Sequence, residues 1–219
     1  MLQIQIGTQI WMQKNLDVDH FRNGDPIPEV RDAGEWDDAG MAGEPAWCYY
    51  RNDPANGEKY GKLYNWYAVN DPRDIAPYGW HVPSKDEYQT MFRVYQQNVN
   101  ISYNMQEIIK AKMGWTKNGN NNSGFNALPS GLIDWSDVMS NLRFRGLGEY
   151  TYWWTSTCCL DFDGTATAMQ LTESHCSLND NNAKYNGYSV RCVKNNYNTH
   201  EIGDYFEGGI IFDIWKDAS

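Results

Sequence analysis

The sequence predicts an α+β domain, with helices in its first half and short strands in its second. Three observations carry that reading. Apolar residues recur at helical spacing only ahead of Met113. From Trp115 onward they fall in short runs broken by turn residues. No strand signal alternates with a helix signal, as βαβ units would require.

The elements follow in order. Residues 3–11 read as a strand pair: Ile4, Ile6, Ile10 and Met12 share one parity, and Gly7-Thr8 interrupts. Residues 24–45 are rich in Gly, Pro and acids with little periodicity, which predicts a long loop. Leu63, Trp66, Tyr67 and Asn70 stand at helical spacing within residues 61–70. The clearest local signal is Ser84-Lys85-Asp86-Glu87, a capping box. Behind it Tyr88, Met91, Phe92 and Tyr95 line one face of a helix ending near Gln97. A second helix is expected over 104–113, with Met105, Ile108 and Ile109 inward. Residues 118–124 (NGNNNSG) are loop. Residues 125–134, 144–157, 169–171, 188–193 and 209–215 read as short strands.

The chain's 219 residues suit one large domain with a real core. Leu, Ile, Val and Phe are scarce, but ten Trp and fifteen Tyr supply large buried bodies, each with a polar handle. A net charge of −10 argues against nucleic acid and against anionic lipid. No apolar run approaches the ~20 residues of a membrane helix. The alternating start, Met1 to Gly7, lacks the basic region of a secretory leader. Two origins stay open: a protein that remains in the cytosol, or one whose leader has been removed. The five cysteines are odd in number and lack CxxC spacing, so mostly reduced thiols are expected.

Several phrases stand in a characteristic order. They are Ile10-Trp11-Met12-Gln13-Lys14-Asn15-Leu16, Tyr60-Gly61-Lys62-Leu63-Tyr64-Asn65-Trp66 and Gly79-Trp80-His81-Val82-Pro83-Ser84. Then come Gly124-Phe125-Asn126-Ala127-Leu128-Pro129, Tyr152-Trp153-Trp154-Thr155-Ser156-Thr157 and Gly187-Tyr188-Ser189-Val190-Arg191-Cys192-Val193. Together they resemble the Fibrobacter succinogenes major paralogous domain family, over nearly the whole chain to about Lys194. That family is similar to the C-type-lectin-like fold, in the branch that also holds formylglycine-generating proteins. The resemblance implies two main helices, a small twisted antiparallel sheet and long ordered loops. It places that domain at residues 1–197, followed by a strand-like extension at 198–219. Family members often carry cysteines where this chain has Gly57 and Ala76. Their joint absence implies assembly in a reducing compartment.

The last third also resembles the variable proteins of diversity-generating retroelements, in which mutated codons populate an exposed binding face. Between Thr157 and Gly187 runs an aperiodic stretch, CCLDFDGTATAMQLTESHCSLNDNNAKYN. It reads as an ordinary solvated loop or, as the weaker alternative, as a diversified surface. Loops on a rigid frame are where recognition residues gather. The expected ligand-binding residues are therefore Arg143, Arg145, Glu149, Tyr150, Tyr152, Asp161, Asp163, Glu173, His175, Asn179, Asn181 and Tyr185. Tyr is favoured there because it offers contact area at little rotamer cost. Asn181 and Lys184 are expected to be tolerant surface positions.

Other chemistries find less support. The four His are scattered without zinc spacing, and Asp161-Phe162-Asp163-Gly164 starts like a calcium loop but lacks its closing Glu. No metal and no cofactor is expected. His81 reads as a hydrogen-bonded core residue. Adjacent Cys158 and Cys159 on a strand would point to opposite faces, the wrong geometry for a redox pair. Most Trp residues read as framework whose indole N–H groups reach loop carbonyls. The expected function is a non-enzymatic recognition module for a cell-surface protein or glycan. Its owner would be a phage tail or receptor-binding protein, placing it in the virion. The alternatives are a secreted or surface-anchored bacterial protein of the same family, and a formylglycine-generating-like oxidase. Nucleic acid and membrane insertion are not expected, and a homo-oligomer stays open.

Overall fold

A computed structural model describes residues 2–98, 105–134, 143–158 and 164–195. The mixed α+β layout is as expected from the sequence. The chain opens with a hairpin, β1 (Gln3–Ile6) and β2 (Gln9–Met12), in register Ile4 with Trp11 and Ile6 with Gln9. Helix α1 (Ala33–Ala42) follows, then β3 (Trp47–Cys48) and α2 (Pro54–Tyr60). Next come β4 (Leu63–Tyr64), α3 (Trp66–Val69), β5 (Trp80–His81), α4 (Lys85–Asn98) and α5 (Met105–Ile109).

Two of these helices fall where none was expected. Residues 24–45 hold α1 instead of loop alone. The Asp32 carboxylate accepts from the Gly34 and Glu35 amides, and Gly43 closes the helix at φ +71°. These cap signals are present in the sequence, but two interior glycines and a mostly exposed surface leave the helix without apolar period. Asp53 and Pro54 likewise start α2, as N-cap and first helical residue. In residues 61–70 a strand precedes the helix, and Asn65 caps α3 through the Ala68 amide at 3.0 Å. The capping box forms as expected: Ser84 Oγ accepts from the Glu87 amide at 3.3 Å, and the Glu87 carboxylate accepts from the Ser84 amide at 2.8 Å. Tyr88, Met91 and Tyr95 are buried beneath it. The helix expected over 104–113 is a single short one, α5. Residue 104 is outside the described residues, and Lys110 and Ala111 have already turned to pair with Ala127.

The second half supplies β6 (Ser130–Ile133), β7 (Phe144–Leu147), β8 (Thr151–Cys158), β9 (Thr165–Leu171), β10 (Cys176–Ala183) and β11 (Val193–Lys194). Among the described residues these build three sheets. One has the order β1-β2-β11-β5, one β10-β9-β8-β6-β7, and one pairs β3 with β4. The expected sheet was single and antiparallel. Here β6 runs parallel to β8 at Gly131–Thr151. The aperiodic run after Thr157 is no loop either. It contains the longest hairpin, β9 with β10, offset between Asn179 and Asn182. Its missing period has a cause: Ala166, Thr167, Ala168 and Met169 are consecutively buried, because β9 is covered on both faces. The strand expected at 209–215 and the extension at 198–219 lie outside the described residues.

Strand β8 divides the core. Trp153 and Trp154 are neighbours, so their side chains point to opposite faces. Trp153 joins Trp11, Tyr88, Met91 and Phe125; Trp154 joins Tyr64, Trp66, Tyr188 and Val190. Both are fully buried. The indole donors are satisfied as expected: Trp154 to the Tyr64 carbonyl at 2.8 Å, Trp66 to Thr155 at 3.0 Å and Trp47 to Ile27 at 2.8 Å. Lys184 corrects the sequence reading. It is 8 % exposed, with Nζ 4.9 Å from the Trp66 ring centre, so it is not a tolerant surface residue. Cys48, Cys176 and Cys192 are free thiols, and Cys159 lies outside the described residues.

Candidate functional site

Three backbone segments meet at one end of the large sheet and leave a cleft between them. The first is residues 110–117, which follow α5. The second is the β7–β8 turn, and the third the β9–β10 turn. Backbone hydrogen bonds fix their mutual placement. Ala111 donates to Ala127 and Ala127 to Ile109, each at 2.8 Å, so Lys110 stands at a defined register. The Thr116 amide donates to Gly148 at 2.7 Å, docking the first segment on the second. Gln106 Nε2 and Lys110 Nζ donate to the carbonyls of Ser174 and Glu173, at 3.2 and 3.1 Å, docking it on the third.

The cleft holds about 300 Å³, at the lower end of the range of small-molecule sites. Its wall carries Lys110, Trp115, Thr116 and Lys117 from the first segment, Glu149 and Tyr150 from the second, and Thr172, Glu173 and Ser174 from the third. Lys110 is only 1 % exposed, with Nζ 4.7 Å from the Trp115 ring centre. Burial holds its pKa below the ordinary 10.5; Lys117 works the same way, while Glu173 and Glu107 oppose. Trp115 is fixed by its own indole, which donates to the Ala127 carbonyl at 2.8 Å. At the mouth Lys117 lies 3.9 Å from the Glu173 carboxylate. The Tyr150 ring lies against Gly146, where a Cβ would come within 2.0 Å of Cζ. Burial pushes the Tyr150 phenol up to about 12.

The twelve expected binding residues do not form one face. Glu149, Tyr150 and Glu173 converge on the cleft, and His175 is exposed on the same turn, with Nδ1 2.7 Å from Ser174 Oγ. Tyr152 is not at a loop edge. It is a half-buried rung between Tyr150, at 6.0 Å, and buried Tyr188, at 5.0 Å. Asn179 and Asn181 lie at the β10 offset, where Asn179 Oδ1 accepts from the Asn181 amide at 2.9 Å. Tyr185 is remote, packed on Gly40 of α1, and its carbonyl accepts from the Trp36 indole at 2.7 Å. Arg145 pairs with Asp134 at 3.5 Å. Arg143 forms a two-pronged ion pair with Asp37 of α1. It lines a different and much smaller cavity, of about 40 Å³, with Trp36, Cys48, Asn52, Ile133 and Phe144. Asp161 and Asp163 lie outside the described residues.

Sequence reasoning missed Lys110, Trp115, Thr116 and Lys117. A signal was available: Lys-Ala-Lys-Met-Gly-Trp-Thr-Lys packs three lysines around a Trp in an otherwise acidic chain. His81 is hydrogen-bonded as expected but is not a core residue, its side chain being 38 % exposed. Its Nδ1 is 2.6 Å from Asn195 Oδ1 and its Nε2 2.7 Å from Glu87 Oε1. Among the described residues no three His, Cys, Asp or Glu side chains cluster as a metal site, and no helix is long and apolar enough to cross a membrane.

Fold and cleft define an α+β domain that holds a mixed-charge, ligand-sized recess on turns anchored to a tryptophan-rich core. The chain belongs to the Fibrobacter succinogenes major domain family, whose model matches residues 4–194. That match runs from β1 through the end of β11. No curated protein and no solved structure matches the chain.

Proposed function

We propose that this chain is a non-enzymatic recognition module on a C-type-lectin-like scaffold, binding a cell-surface glycan or protein through the cleft between Lys110, Tyr150 and Glu173. The observation that carries the reading is convergence. Side chains from three separated segments, on turns tied to a rigid core, line one recess of ligand size. Recognition residues gather on loops held in this way. The owner we favour is a phage tail or receptor-binding protein; free thiols suit assembly in a reducing compartment. A surface-anchored bacterial protein would use the same cleft.

Oxidase chemistry draws no support from Cys48, Cys176 and Cys192. Burial pushes those of Cys48 and Cys192 far up and that of Cys176 up to about 12, away from the thiolate such chemistry needs. The test is adsorption of the labelled chain to a glycan array and to intact bacterial cells. The triple variant Glu149→Ala/Tyr150→Ala/Glu173→Ala should lose binding while its melting temperature stays within a few degrees. Undiminished binding by that variant would refute the assignment.

A further inference from the structure

The charges in the cleft specify its ligand more closely, and this step rests on the cleft being the recognition site. Lys110 is a buried ammonium with three donors to place. One goes to the Glu173 carbonyl, and the Trp115 ring lies beside it. Among the described residues no carboxylate forms an ion pair with it, although the chain has 28 acids. The nearby Glu173 carboxylate lies toward Lys117 instead. Other buried cations have more of their donors met: Lys62 has a counter-charge, and Arg191, which has none among the described residues, places three hydrogen bonds. Lys62 meets Asp17 at 2.6 Å. Arg191 donates to the Phe125 carbonyl at 2.5 Å and to Asn15 Oδ1 at 2.8 and 3.2 Å. A buried charge without a counter-charge is costly, so a cleft lined by one favours an anion.

The remaining lining restricts which anion. Thr116, Thr172 and Ser174 offer hydroxyls, and Glu149 and Glu173 accept hydrogen bonds but repel a second negative charge. A densely charged polyanion is disfavoured. One acid group on a neutral, hydroxyl-rich body fits. We propose that the cleft seats a carboxylate-bearing saccharide, its carboxylate on Lys110 with Lys117 at the mouth, its hydroxyls on the surrounding hydroxyl and carboxylate side chains. The stretch 110–117 gives this one place a local positive character within a chain of net charge −10, which draws the acid end inward.

The experiment is an NMR titration of the full chain with glucuronate, galacturonate and N-acetylneuraminate, each beside its neutral methyl ester. At least one acid should shift the Thr116, Lys117 and Ser174 amides, and its ester should bind at least tenfold more weakly. Lys110→Met keeps the buried stem and removes the charge; it should lose the acid by tenfold or more, whereas the surface control Lys14→Met should not. The acid–ester comparison uses the unaltered chain, so it stands even if Lys110→Met fails to fold. Equal binding of acid and ester at the cleft would overturn the acid preference and leave the recognition site standing. If no saccharide perturbs the cleft while array ligands bind elsewhere, both the ligand class and the site are wrong.

Discussion

Two recesses in this protein each hold a sequestered cation, and they handle it in opposite ways. Between α1 and the β6–β7 strands, Arg143 is met by both oxygens of Asp37, and the walls around the pair are Trp36, Ile133 and Phe144. In the cleft, Lys110 is met by a carbonyl and an aromatic face. In the first recess the cation has its counter-charge, and the ion pair joins a helix to a sheet. The second is left positive at its base. The recess whose cation has no counter-ion is the one we propose as the ligand site.

The comparison presumes a rigid frame, and that frame is open to the largest test. Trp154 is fully buried, donates to the Tyr64 carbonyl and packs 4.3 Å from Tyr188. Trp154→Ala should cost about 3–5 kcal/mol in urea unfolding. A loss below about 1 kcal/mol would mean that the ladder from Trp154 through Tyr188 and Tyr152 to Tyr150 does not hold the cleft in place.

The two cations give the next contrast. Asp37→Ala strands Arg143 where its side chain is 12 % exposed, and should cost about 2 kcal/mol, less than a fully buried pair would. Lys110→Met, which replaces an unpaired buried charge by a stem of similar shape, should change stability by less than about 1 kcal/mol. Equal and large losses at both would make Lys110 a structural cation and dissolve the distinction. Gly146→Ala falls between them. Its φ of +69° is strained for any residue with a Cβ, and the new methyl would meet the Tyr150 ring. It should cost about 1–2 kcal/mol and weaken saccharide binding by displacing Tyr150, both read from one sample by melting and titration.

The same contrast governs what the sequence discloses. Helix α4 is legible because its capping box and the apolar face of Tyr88, Met91 and Tyr95 say the same thing. Helix α1 has caps at Asp32 and Gly43 but buries only Trp36 and Gly40, so its periodicity is nearly silent. Strand β9 is legible only at its end, residues 169–171, for the reverse reason: covered on both faces, it has no polar alternation to display. Of the cleft lining, Glu149, Tyr150 and Glu173 are within reach of sequence reading because turns advertise themselves. Lys110 was not, because a buried lysine looks like any other until burial is known. The long-range pairing that brings residue 110 to residue 173 is a property of topology, which local pattern does not encode.

The smallest effect should separate frame from cleft by pH. Both His81 nitrogens face oxygens, Nδ1 toward Asn195 Oδ1 and Nε2 toward Glu87 Oε1, so the ring is satisfied only when doubly protonated. The Glu87 hydrogen bond raises the His81 pKa above its ordinary 6.5 against the opposing effect of burial. For Glu87, burial pushes upward, but His81 and Ser84 hold its carboxyl below the ordinary 4.5. A raised histidine contributes stability in full below 6.5 and loses it as pH rises through the folded value. A lowered carboxyl contributes in full above 4.5 and loses it as pH falls through the folded value. Both contributions are therefore present between about 4.5 and 6.5. His81→Gln should be most destabilised relative to the parent in that window, and the gap should narrow at alkaline pH. Its size should stay below about 1 kcal/mol, since the two side chains are 38 % and 29 % exposed and solvent screens the pair. Melting curves of both proteins at pH 5.5 and 8.5 measure it. Saccharide affinity at pH 5.5 should be the same in both, because His81 and Glu87 do not line the cleft. A gap that is flat with pH would mean that the imidazolium is not the form the fold selects. A parallel loss of affinity would mean that the frame around β5 and the cleft at the β9–β10 turn are one coupled unit, not a rigid support and a separately tuned site.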